Sequence, residues 1–193
     1  YLFHALSLTK DLLRSDPNAA ERAIVNLSNV FRFTLDATRH DSIRLGDELE
    51  LIKSYLDIES AGSQGLLTYE IDIPANLFDA QAPPLLLHQL VEYTVGDAVA
   101  GGRPSKIITL TARGDGDTIA FQLRGDTVPA IGPGELPAPD LEASQATTRL
   151  REITGVDSLR VLAGAAGCRI VEFTLPRGNA LLDGEPRLRV DQY

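Results

Sequence analysis

PPLLLHQLVEYTVGDA, residues 83–98, decides how the rest of the chain is read. Pro83 and Pro84 suit the opening of a helix, and Leu87, Leu90, Val91, Thr94, Val95 and Ala98 recur on or near one side of it. Gly101-Gly102 ends the pattern. The spacing therefore predicts a helix with one buried side, which also carries His88, Glu92, Tyr93 and Asp97. On either side of this run the hydrophobic period differs, and that contrast divides the chain.

Upstream the period is helical. Leu2, Leu6, Thr9 and Leu13 follow 4-3-4 spacing, and Asp16-Pro17 supplies an N-cap and first-turn proline for a second helix striped by Ile24, Leu27, Phe31 and Leu35. A third helix after Gly46 places Leu45, Leu49, Ile52, Leu56 and Glu59 on one side. Three short helices, each with a single apolar face, bury those faces most readily as a bundle or across a dimer axis.

After the small, polar run at 60–65 the period falls to two. Leu67, Tyr69, Ile71 and Ile73 alternate with Thr68, Glu70 and Asp72, the pattern of a half-buried strand. Beyond the 83–98 helix, residues 107–112 and 118–123 read as a hairpin around Arg113–Asp117. Glycines and prolines over 125–140 predict a long loop, 141–153 a helix, and 158–162 with 169–175 a closing strand pair. The last residues, 177–193, read as a tail. The expected fold is α+β, with a helical segment over 1–62 and, over 65–176, a mixed sheet covered on one face by the 83–100 and 141–153 helices.

Composition narrows the function. The 193 residues are 44% hydrophobic, enough for a real core, and carry 18 Lys plus Arg against 27 Asp plus Glu, a net charge of −9. That balance disfavours DNA or RNA as a partner. The one cysteine, Cys168, rules out an internal disulfide or a cysteine cage for a metal. His40 and His88 lack metal-site spacing, and no serine or cysteine nucleophile motif occurs. No apolar run approaches the roughly 18–20 residues that span a bilayer. Tyr1 opens inside a helical pattern without an initiator methionine, so further sequence is expected before it, where any membrane or sensory part would lie.

Three stretches resemble one family. RLGDELELIKSYLDIES, residues 44–60, is similar to the L-x-x-E-L-x-x-I-x-x-Y-L-x-I-E run of the LytS/YehU-type sensor histidine kinases. PPLLLHQLVEYTVGDA resembles their P-P-L-L-L-Q-P-L-V-E-N-A-x-K-H-G helix, and YLFHAL, residues 1–6, resembles their H-F-L-F-N-A-L phosphoacceptor motif. The resemblance implies a dimerising helical segment joined to an ATPase-type α/β sandwich. It also implies phosphoryl transfer from ATP to a histidine and then to a response-regulator aspartate, chemistry that rests on positioning and charge neutralisation.

Carried over residue by residue, the family's general base falls on Glu92 and its magnesium-binding asparagine on Tyr93. The acceptor histidine falls immediately before Tyr1, and His4, one turn further on, stands where the family has asparagine as a displaced candidate acceptor. The nucleotide positions depart from the pattern in four places. Tyr93 offers a bulky neutral phenol in place of a hard carbonyl ligand. Gly96 and Asp97 replace lysine and histidine. The aspartate expected at the end of the 119–123 strand stands one position late, at Asp126. The run before the 141–153 helix contains two acids and no glycine for a phosphate to approach.

These departures imply a degenerate sensor histidine kinase of two-component signalling, with no cofactor expected and no metal site. It would act through protein contacts, dimerising through its N-terminal helices and meeting a response regulator or an intact kinase, in a bacterial cytoplasm. Two alternatives stay open. One is an active kinase that binds ATP and magnesium through Glu92, Asp97 and Asp126; the other is a histidine phosphotransfer protein that works without ATP.

Overall fold

The computed structural model describes residues 2–37, 39–63, 66–100, 106–126, 145–154, 159–164 and 168–177. Helices α1 (Leu2–Ser15) and α2 (Pro17–Ala37) lead through a two-residue strand β1 (Ile43–Arg44) into α3 (Leu45–Gly62). Then come β2 (Leu67–Asp72), a 3-10 turn over Ala75–Leu77, the short β3 (Gln81–Ala82) and helix α4 (Leu86–Ala100). Strands β4 (Lys106–Asp115) and β5 (Thr118–Asp126), helix α5 (Gln145–Thr154), and strands β6 (Leu159–Ala163) and β7 (Cys168–Pro176) complete the chain. The expected loop over 125–140 falls outside the described residues from 127 onward, as does the tail from 178.

The main sheet runs β2-β4-β5-β7-β6, with β2 parallel to β4 and the other neighbours antiparallel. It is the mixed sheet the alternating segments predict. Ile108, Leu110, Ile119, Phe121, Leu123, Val171, Phe173 and Leu175 point to its covered face, while Ala120, Gln122 and Arg124 alternate to the other. Phe121 and Phe173 sit opposite each other in register and stack with centroids 4.9 Å apart. Leu86, Leu87, Leu90, Val91 and Val95 of α4, Leu150 of α5 and five residues of α3 fill the space above them. The fold is α+β, with helices on one face of a mixed sheet.

Sequence and structure differ at the hairpin. The strands extend to Asp115 and begin again at Thr118, so the expected five-residue turn shrinks to Gly116-Asp117. Gly116 has φ 58°, a left-handed conformation that glycine adopts without steric cost, and Thr118 Oγ1 donates to the Asp115 carbonyl at 3.0 Å. A tight turn lets both strands keep pairing to the end.

The helical pair differs more. Asp16 caps α2 as expected, its Oδ1 accepting from the Ala19 amide at 3.0 Å. The buried stripes, however, lie elsewhere. On α1 the inward residues are Ala5, Thr9 and Leu12, and on α2 they are Ala19, Ala20, Ala23, Leu27 and Val30; Leu6, Leu13, Ile24, Phe31 and Leu35 are exposed. Small side chains explain the choice. Alanines at 5, 19, 20 and 23 let α1, α2 and α3 approach closely around Ile58, a separation that a row of leucines and phenylalanines would not allow. Gly62 serves the same contact, since a Cβ there would stand 2.6 Å from a Leu8 methyl.

Helix α3 does not have the single apolar face expected of it. Leu45, Leu49, Ile52, Tyr55 and Leu56 enter the sheet core, while Ile58 enters the helical core. This helix is therefore the rigid link between the two packed regions. It also carries two acids inward, Glu48 and Glu59, with exposures of 0% and 5%.

Candidate functional site

Helix α4 begins in a way its own sequence cannot stabilise. Its first amides follow Pro83, Pro84 and Leu85, none of which has a side chain able to accept a hydrogen bond. Glu48 of α3 supplies the missing acceptor. Its two carboxyl oxygens accept from the Leu85 amide at 2.9 Å and the His88 amide at 3.1 Å, and the Leu87 amide also reaches it. Leu85 holds φ 65°, a conformation that strains a leucine, and the bond to Glu48 holds that amide in place. Arg149 of α5 closes the corner by donating to the Pro84 carbonyl at 2.9 Å and attracting the Glu48 charge. Burial nevertheless dominates, and the Glu48 carboxyl is pushed up to about 7.

One turn along α4, His88 packs edge-on against Tyr55 with ring centroids 5.2 Å apart. Burial pushes its imidazole down to about 4. Its Nδ1 lies 4.0 Å from Glu92 Oε2, and the Glu92 side chain is 39% exposed. Glu92 is thus a half-exposed acid whose charge is felt inside the molecule: with burial first and Glu92 adding to it, the Glu59 carboxyl is raised above the usual carboxylate range. Glu59 in turn holds His4, whose Nε2 lies 3.3 Å from Glu59 Oε2. One buried carboxylate on α3, Glu59, thus bonds His4 of α1 and feels the charge of Glu92 on α4, two of the residues singled out in the sequence.

Tyr93 turns the other way. It is half-buried against the sheet core, and its phenol oxygen accepts from an Arg169 guanidinium nitrogen at 3.1 Å. Arg169 lies on β7, is 3% exposed and pairs in register with Gly125 of β5. The next β5 residue, Asp126, stands opposite Cys168. Tyr93, Arg169 and the backbone of Asp126 thus meet near one corner of the sheet. Asp97 lies one turn further along α4, and the side chains of Asp97 and Asp126 are outside the described residues. The 140–144 run before α5 is also outside them.

Three contributors escaped the sequence reading. Glu48 sits in the apolar repeat of α3, three residues after Leu45 and beside Leu49, and an acid in that phase is the available signal. Glu59 was visible as a stripe position but gave no hint of His4 as its partner. Arg169 carries no signal at all, because it meets Tyr93 across 76 positions of chain.

Comparison with known proteins shows what the chain is similar to. A sequence model described as Histidine kinase matches residues 1–65. The sensor protein LytS of Staphylococcus haemolyticus is 28% identical over 139 residues, covering 68% of this chain and 24% of that protein. The sensor histidine kinase BtsS of Escherichia coli K12 is 29% identical over 123 residues, 64% of this chain and 22% of its own length. The chain thus spans about a quarter of these curated relatives. Among solved structures, the histidine kinase domain of the blue-light activated kinase of Erythrobacter litoralis superposes with a TM-score of 0.55 at 14% identity, covering 94% of this chain and 88% of that one. A histidine kinase from Burkholderia phymatum does so at 0.51 and 16%, with 91% of each chain covered. These last two establish the fold alone. With sequence similarity to these kinases and a fold shared with solved histidine kinase domains, the chain resembles the LytS-type sensor histidine kinases.

Proposed function

We propose that the chain is the helical and ATPase-like part of a sensor histidine kinase of two-component signalling, and that it works through protein contacts with weak or no nucleotide binding. Residues 1–62 serve as the dimerisation and phosphoacceptor-like segment, and 65–176 as the ATPase-type domain. The partners are a second copy of the chain and a response regulator or intact kinase, in the cytoplasm. Among the described residues no helix is long and apolar enough to cross a membrane.

The observation that carries this reading is the contact between Tyr93 and Arg169. At the position that answers to the family's magnesium ligand, a phenol oxygen already accepts from a buried guanidinium at 3.1 Å. A divalent cation placed against that oxygen would meet a fixed positive charge and a neutral ligand, so the residues present do not fit magnesium. Incubation with magnesium and γ-labelled ATP should therefore yield neither labelled protein nor released phosphate. Label that disappears in Glu92→Gln would establish the active-kinase alternative in its place.

Support for a second copy comes from the helices. Phe3, Leu6, Leu13, Ile24, Val25, Phe31 and Leu35 leave large apolar side chains outside both cores, with Phe3 at 88% and Leu35 at 67% exposure. Single exposed leucines are ordinary, but this many on two adjoining helices match a helix-to-helix interface. The chain should scatter light as a dimer. Ile24→Glu with Leu35→Glu should dissociate it into folded monomers, since burying each such side chain contributes about 1.5–3 kcal/mol. A monomeric parent chain at high micromolar concentration would remove this part of the proposal.

A further inference from the structure

The helices cover one face of the main sheet, and the residues that alternate to the other face are open to solvent. On that face they form rows across the strands. Arg113 of β4 stands opposite Ala120 of β5, and Ala120 opposite Thr174 of β7. In the next row Thr111, Gln122, Glu172 and Arg160 follow one another across β4, β5, β7 and β6. A small alanine among longer side chains leaves a hollow of about 560 Å³, rimmed by Arg113 on one side and Arg160 on the other. That volume falls within the roughly 300–1,000 Å³ of ligand-binding hollows.

The charges around the hollow select what enters it. Glu172 faces Arg160 in register, yet its Oε1 accepts from Gln122 Nε2 at 2.9 Å instead. Among the described residues neither Arg113 nor Arg160 forms an ion pair. Each guanidinium therefore keeps its fork of N–H donors for a carboxylate from outside, which such a fork grips in bidentate fashion. A long polyanion is disfavoured, because the chain as a whole carries a charge of −9. Two local pairs remain. Strands about 4.8 Å apart put Arg113 and Arg160 about 14 Å from each other across the sheet, with a two-residue step of about 7 Å along it. Acids four positions apart on one side of an extended chain, about 13–14 Å, answer to that span. Glu172 between the arginines, and the exposed Glu70 and Asp72 of β2 on the same face, keep acids away from the middle and from the β2 edge.

From this arrangement we infer that the open face of the sheet is a docking site for an extended acidic segment of a partner protein. The segment crosses β4, β5, β7 and β6, with one carboxylate on Arg113, a second on Arg160 and neutral polar residues between them over Ala120. Thr111 and Thr174 offer hydroxyls to its backbone, and Glu172, held by Gln122, accepts from a donor in its middle. The hollow lies on the opposite face of the sheet from α4, so the docking site and the nucleotide reading stand or fall separately.

The test is fluorescence anisotropy of the whole chain with the labelled peptide Gly-Glu-Thr-Ser-Thr-Glu-Gly, beside the same peptide with both Glu replaced by Gln. The acidic peptide should bind at least about ten-fold more tightly than the neutral one, because charge-assisted bonds to two guanidinium groups are lost in the latter. Arg113→Ala and Arg160→Ala should each weaken it by about five-fold, the upper range for an exposed ion pair. Ala120→Phe fills the hollow and should abolish binding. All three positions are exposed, so circular dichroism and the thermal midpoint should stay at the parent values. Arg124, one row away and outside the hollow, is the internal control, and Arg124→Ala should bind like the parent. Equal binding of the two peptides, or no binding up to millimolar peptide, would overturn the inference. So would an equal loss in Arg124→Ala, displacement of the peptide by an equal concentration of succinate, or capture of the chain by phosphatidylserine vesicles that Arg113→Ala abolishes.

Discussion

Glu48→Ala should lower the unfolding free energy by about 3 kcal/mol, because buried amides at the start of α4 lose their acceptor and a cavity opens beside them. The affected amides are those of Leu85, Leu87 and His88. For a chain of this size the thermal midpoint should fall by about 10 °C. Leu85 would lose the bond that holds its φ of 65°, so the loss should be accompanied by faster amide exchange over the first turn of α4. Glu48→Gln keeps one acceptor and should cost about 1 kcal/mol. Urea denaturation measures both, and an Ala variant as stable as the parent would remove Glu48 from its place as a cap.

The second large effect is hidden in the parent chain and appears only in variants. Glu48 is an acid raised from 4.5 to about 7. The stability it contributes is therefore complete below 4.5 and is lost as the pH rises through about 7. His88 is a base lowered from 6.5 to about 4, so the unfolded chain binds the extra proton between those values and stability falls as the pH falls. A displacement of this size is worth about 3 kcal/mol for each group. The two slopes oppose each other between pH 4.5 and 6.5, and the parent chain should be nearly flat there, with the raised Glu59 acting in the same direction as Glu48.

Substitution uncovers each slope. His88→Gln should become less stable by about 3 kcal/mol from pH 4.5 to 7, and Glu48→Gln should become more stable by a similar amount from pH 4 to 6.5. Denaturant titrations at half-unit steps resolve both. A His88→Gln profile parallel to that of the parent would show that the two groups do not oppose each other.

The layered architecture was readable because strands announce themselves locally. Leu67 to Ile73 alternates, the hairpin carries a glycine at its turn, and the helix after Pro83-Pro84 keeps its apolar side in helical phase, so each element agrees with its neighbours. The helical pair was misread for a physical reason. Periodicity reports which residues share a face, but not which of two offset faces is buried. On α1 and α2 the alanines that permit close approach decided the matter, leaving Leu6, Leu13, Ile24 and Leu35 outside.

The candidate site was legible only as far as single residues. Glu92, Tyr93 and His4 were visible by resemblance, but what each one touches depends on chain segments far apart in sequence. His4 meets Glu59 across 55 positions, and Tyr93 meets Arg169 across 76. Both partners are charged groups inside the molecule, where a charge persists only with a partner, and that requirement becomes visible once burial is known.

The most direct test of the proposal that the Tyr93–Arg169 corner does not hold magnesium is isothermal titration of the chain with ATP and magnesium. With Tyr93 held by Arg169, no binding heat should appear up to millimolar nucleotide. Micromolar binding that requires magnesium and is abolished by Glu92→Ala would contradict it.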